Sequence, residues 1–89
     1  MITYMIGYDL NRPGQDYKDL FVAIQKFENW WHCLASTWII TTTSTAVQVR
    51  EYLAPYLDAI DKLLVARLSA DAAWQGFDEK CSSWLKNNL

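Results

Sequence analysis

The stretch WWHCLASTWIITT, Trp30 to Thr42, decides how this chain folds. It holds two short β-prone runs, Trp30–Ala35 and Thr37–Thr42, with Ser36 between them, a spacing that predicts a tight hairpin. The second run is the more apolar. On its N-terminal side, Ile2–Tyr8 is an almost continuous apolar run that reads as a central strand, and Asn11-Arg12-Pro13-Gly14 breaks it as a turn. Asp16 then caps a helix whose stripe is Leu20, Ile24 and Phe27, expected to end near Asn29. On the C-terminal side, Ser44 or Thr45 caps a second helix, with Gln48 completing a capping box and Val49, Leu53 and Tyr56 as its buried stripe. Pro55 closes or kinks its last turn. Lys62–Leu68 is a further β run, with Leu64, Ala66 and Leu68 on one face and Leu63, Val65 and Arg67 on the other. Residues 69–89 add a loop and a short helix capped by Asp78, with Cys81, Trp84 and Leu85 on one side.

The order β-α-β-β-α-β predicts an α+β, ferredoxin-like domain with an antiparallel sheet. It spans 1–89 as a single unit, with a core over 2–68 and a C-terminal appendage over 69–89. The first and third strands belong in the middle of such a sheet. Its helices cover one face only, so Trp30, Trp31 and Trp38 are expected on the open face, where they favour a homodimer. Trp74 and Trp84 are expected to dock on that face or to cross to a second copy.

At 89 residues the chain is one domain, and 52% apolar and 15% aromatic content gives it a core that a disordered segment lacks. The net charge of -2 provides no global positive field, so any nucleic-acid contact must come from a local patch. No apolar run approaches the roughly 20 residues of a membrane span, and Met1-Ile2 lacks the charged start of a signal peptide, which predicts no membrane association and a cytoplasmic location. Cys33 and Cys81 sit in no C-x-x-C arrangement, have no histidine at zinc spacing, and are read as reduced thiols. The chain is expected to fold without a metal or disulfide staple. Dinucleotide, P-loop, nucleophile-elbow and zincin signatures are absent.

MIGYDL at the end of the first strand, LFVAIQKF in the first helix, STWII after the hairpin turn and LDAIDKLLVARL before the last strand resemble a known family. This is the small CRISPR-associated spacer-acquisition protein family, together with stand-alone relatives that include the VapD toxin ribonucleases and short "SinR family" proteins. The resemblance covers residues 2–68. It implies a homodimer in which Asp9 of each copy faces its mate, the pair holding Mg²⁺ or Mn²⁺ for cleavage of RNA or single-stranded nucleic acid. Gln25-Lys26-Phe27-Glu28-Asn29-Trp30 stands where the family carries an arginine-rich stretch.

Taken residue by residue, Asp9 is either a turn residue bonding backbone N–H groups near Asn11 or half of a paired carboxylate site. Tyr8 would flank that site. His32 offers a general acid or base for metal-free RNA cleavage, or simply packs beside two tryptophans. Arg12 and Lys18 lie closest to Asp9 in sequence, enough to contact one phosphate. Ser36 and Thr37 read as turn residues. Three functions therefore stand open: a metal-dependent ribonuclease, a His32-dependent ribonuclease, and a non-catalytic dimeric scaffold that binds a protein partner.

Overall fold

The computed structural model describes all residues, 1–89. Its elements are β1 (Ile2–Asp9), α1 (Lys18–Gln25), β2 (Asn29–Leu34), β3 (Thr37–Thr42), α2 (Ala46–Leu53), a single 3-10 turn (Ala54–Tyr56), β4 (Lys62–Arg67) and α3 (Glu79–Asn88). The four strands form one antiparallel sheet in the order β2-β3-β1-β4. The α+β class and the hairpin follow the sequence reading. β1 and β3 are central because their apolar residues are buried by neighbours on both sides.

Alternation along β1 sends Tyr4 and Ile6 to the face covered by α1 and α2, where they meet Leu20, Ala23, Ile24, Trp38, Ile40, Val49 and Leu53. Burying a side chain of this size contributes roughly 1.5–3 kcal/mol, so this cluster is the main source of cohesion. Tyr4 is admitted because its hydroxyl donates to the Ser44 carbonyl at 2.9 Å. No buried side-chain polar atom is left without a partner.

The opposite face is only half covered. α3 lies over the β2–β3 side, where Leu85 closes on Trp31 and Ile39. It is held there by hydrogen bonds from Trp31 Nε1 to the Cys81 carbonyl (3.1 Å), from Trp84 Nε1 to Asn29 Oδ1 (2.8 Å) and from Thr3 Oγ1 to the Asn88 carbonyl (3.0 Å). The β1–β4 side, with Met5, Gly7, Leu64 and Ala66, is left uncovered by this helix, and Leu64 is 57% exposed.

Several expectations need correction. Cys33 and Cys81 are not free thiols but form a disulfide with a Cα–Cα distance of 6.4 Å, which staples α3 to β2. The chain therefore folds around a covalent tether that the sequence spacing did not disclose. Trp38 and Trp30 lie on the helix-covered face, where their rings meet at 5.4 Å, and only Trp31 lies on the other, beneath α3. Trp84 does dock on that second face. α1 stops at Gln25 rather than near Asn29, because β2 already begins at Asn29 and the chain turns through Lys26–Glu28.

The cap signals fared unevenly. Thr45 and Gln48 form the full capping box of α2, and Asp78 caps α3 by accepting from the Cys81 N–H. At α1 the capping position belongs to Tyr17, in the left-handed region at φ 56°, while Asp16 accepts from the Lys18 N–H. No helix is long and apolar enough to cross a membrane.

Candidate functional site

The C-terminal end of β1 meets the start of β4, and two loops converge there. Asn11 is their hinge. Its backbone N–H donates to Asp61 Oδ1 at 2.8 Å, and its side-chain amide donates to the carbonyls of Asp9 (3.2 Å) and Ile60 (3.0 Å). Asp61 also accepts from the Tyr17 hydroxyl at 2.7 Å and, through Oδ2, from the Asp58 N–H at 2.8 Å. Tyr17 in turn accepts from the Arg12 N–H at 3.1 Å.

This network explains the backbone of Tyr17. A bulky residue at positive φ is strained, and it persists only where its surroundings fix it. Here the ring is buried and the hydroxyl is shared between the two loops. Partial desolvation raises the pKa of Asp61, but it is outweighed by the N–H groups of Asn11 and Asp58, the Tyr17 hydroxyl and the Arg12 charge, so the carboxyl lies below its ordinary value. For Tyr17, desolvation and the adjacent Asp61 carboxylate raise the phenol above its ordinary value. Asp58, Asp61 and Tyr17 were not among the candidate residues read from sequence, and Asn11 was read only as part of the turn. The D-x-x-D spacing of Asp58 and Asp61 just before a strand is the signal that could have found the loop end of this network.

Because Asn11 and Asp61 organise the turn, Asp9 does not have to. It is exposed, its side chain makes no hydrogen bond, and the only ion pairs within 4.0 Å in the chain are Arg12–Asp58 and Arg50–Glu51. The turn-residue reading of Asp9 thus loses its physical basis. By strand alternation, Asp9 shares the half-covered face with Met5 and Gly7, and Lys62 is its register partner on β4. Gly7, Asp9, Lys62 and Leu64 border a shallow hollow of about 260 Å³.

The other candidate residues stand elsewhere. Tyr8 points to the helix-covered face, where its hydroxyl accepts from Trp38 Nε1 at 3.0 Å. Burial raises its pKa against the opposing effect of that indole N–H, so the phenol stays protonated. His32 stacks on Trp38 with ring centroids 3.7 Å apart. It is exposed on the same helix-covered face, with the sheet between it and Asp9. Arg12 is tied to Asp58 at 3.0 Å. Lys18 borders a separate hollow of about 420 Å³ between the start of α1 and Pro55–Asp58. Within one chain Asp9, Tyr8, His32, Arg12 and Lys18 do not converge.

Metal ligation gives the same result at the level of one chain. No group of three or more His, Cys, Asp or Glu side chains is placed to hold an ion. Asp61 has its oxygens committed to three donors and Asp58 Oδ1 is paired with Arg12, so of these three carboxylates only Asp9 has both oxygens free. Hard cations require several oxygens, and one carboxylate does not fit that need. No protein-family model matches the chain, and no solved structure matches it.

Proposed function

We propose that the protein is a ferredoxin-like homodimer that cleaves phosphodiesters in RNA or single-stranded nucleic acid at a site built from the two Asp9 carboxylates. The element order β1-α1-β2-β3-α2-β4 and sheet order β2-β3-β1-β4 support the ferredoxin-like plan. The resemblance to the CRISPR-associated and VapD-type proteins supports the activity. The observation that carries the reading is that Asp9 is a free, exposed carboxylate at the end of a central strand, with its turn duties taken by Asn11 and Asp61.

The uncovered half of the sheet is the surface through which two copies would pair. Gly7 leaves open space where a side chain would stand, which lets another backbone approach β1 closely, and exposed Leu64 supplies apolar contact beside it. A two-fold axis through this half brings Asp9 toward its mate, doubling the oxygen donors that one chain lacks. Bound there, Mg²⁺ or Mn²⁺ would supply charge neutralisation and an activated water. This chain's own contribution is to hold Asp9 on a rigid strand end and to keep it unpaired. A nucleic-acid substrate fits the cytoplasmic location expected from the sequence, whereas the Cys33–Cys81 bridge counts against it, because structural disulfides are rare in a reducing compartment.

A non-catalytic dimeric scaffold is the second reading, and a specific observation favours it. Arg12 is engaged by Asp58, which leaves Lys62 as the unpaired cation beside Asp9, too little positive charge to grip a nucleic-acid backbone. Cleavage assays on RNA and single-stranded DNA with Mg²⁺ or Mn²⁺, comparing the wild type with Asp9→Asn, separate the two. Cleavage that disappears in Asp9→Asn while the dimer persists supports the nuclease. Absence of turnover from a dimeric wild type leaves the scaffold.

A further inference from the structure

The Cys33–Cys81 bridge opens onto the surface rather than into the core. Both cysteines are only partly buried, and they line a cleft of about 340 Å³ together with Trp30, His32, Lys80 and Trp84. The two sulfurs differ in their surroundings. Cys81 lies in the first turn of the ten-residue helix α3, with its own N–H bonded to the Asp78 cap and Lys80 beside it in sequence and in the cleft. Cys33 sits on edge strand β2, at no helix terminus, and shares the cleft with His32 and the same Lys80.

From this asymmetry we infer that Cys33–Cys81 is a thiol-exchange site, opened in the folded protein by a thiolate that attacks Cys33 Sγ through the cleft, with Cys81 as the leaving sulfur. The S–S bond breaks as the new bond to Cys33 forms, and the electron pair departs on Cys81. The helix N-terminus and the Lys80 ammonium favour negative charge there, while the Glu79 carboxylate and the Asp78 carboxylate, which already accepts from the Cys81 N–H, oppose it. A second thiolate then attacks the external sulfur of that mixed disulfide, forming the new disulfide and releasing Cys33 as its thiolate. In sum, two thiols or one dithiol give up two electrons and two protons, become a disulfide, and leave Cys33 and Cys81 reduced.

Opening the bridge does not require unfolding. α3 keeps Leu85 against Trp31 and Ile39 and retains its hydrogen bonds to Thr3, Asn29 and Trp31. What is lost is the covalent hold on the helix that covers half of the second face. The site is independent of the proposed nuclease activity.

The test uses intact wild-type protein with reduced glutathione in the absence of denaturant, quenched by alkylation and read by mass spectrometry. The bridge should open at a rate unaffected by sub-denaturing urea, and the trapped mixed disulfide should map to Cys33. Lys80→Glu should slow opening by about two- to five-fold, with Lys80→Gln between it and the wild type. Opening that accelerates with urea in step with global unfolding, glutathione found on Cys81, or an unchanged rate in Lys80→Glu would each overturn the inference.

Discussion

Asp9 and Lys62 are register partners across the β1–β4 ladder, yet their charged groups form no ion pair within 4.0 Å. Cross-strand neighbours of opposite sign often pair, so an unpaired carboxylate beside an available lysine leaves both charges free for a second molecule. This relationship bears on both functional readings. If the paired Asp9 carboxylates bind a divalent ion, Lys62 is a nearby competing cation. Lys62→Ala should then tighten Mn²⁺ binding by roughly two- to five-fold, the range expected for one exposed charge. Isothermal titration measures this, and unchanged or weaker binding goes against a site at Asp9.

Asp61 anchors the two loops that free Asp9 for other work. Its folded pKa is depressed, so its stabilising contribution is complete above the unfolded value of about 4 and is lost as pH falls through the folded value. Asp61→Asn removes this linkage. The variant should melt at a lower temperature than wild type at neutral pH, and the difference should shrink on acidification below pH of about 4. A difference that stays constant across this range would show that the carboxylate's charge is not what holds the loops.

The disulfide closes a loop of 48 residues, for which chain-entropy arguments give on the order of 4 kcal/mol of stabilisation. The Cys33→Ser, Cys81→Ser double variant should therefore remain folded but unfold at much lower denaturant, with α3 amides exchanging faster than those of β1. Urea titration and hydrogen exchange read the two effects separately. Equal loss of protection in α3 and β1 would mean that the bridge holds the whole domain rather than its appended helix.

His32 stacks on Trp38 on the face opposite Asp9. His32→Gln should leave any divalent-dependent cleavage within about two-fold of wild type, because the imidazole cannot reach a substrate held at Asp9 through the sheet. Loss of cleavage in this variant, together with resistance to chelation, would move the chemistry to the helix-covered face.

Much of the fold was legible because it rests on local patterns. The apolar run of β1, the hairpin around Ser36, the Thr45–Gln48 capping box and the Asp78 cap each involve residues a few positions apart. What was not legible depends on distant partners. Tyr17 displaces Asp16 from the capping position because its hydroxyl is claimed by Asp61, 44 residues away. The faces of Trp30 and Trp31 depend on pairing with β3 and on the irregular register between Trp31 and Leu34. Cys33 and Cys81 meet only because α3 folds back over β2, a geometry that spacing cannot supply. Asp9 was visible as a candidate from the start, but its freedom from turn duties emerged only with the hydrogen bonds of Asn11.

The proposed dimer pairs two copies through the uncovered half of the sheet and so brings Asp9 to Asp9. Light scattering on wild type and Leu64→Glu decides whether it forms, since Leu64 is exposed in the single chain and the substitution does not disturb the core. Wild type should be a dimer and Leu64→Glu a folded monomer, with divalent-ion binding lost alongside the dimer. A monomeric wild type at the highest soluble concentration, or a dimer that Leu64→Glu leaves intact, would contradict it.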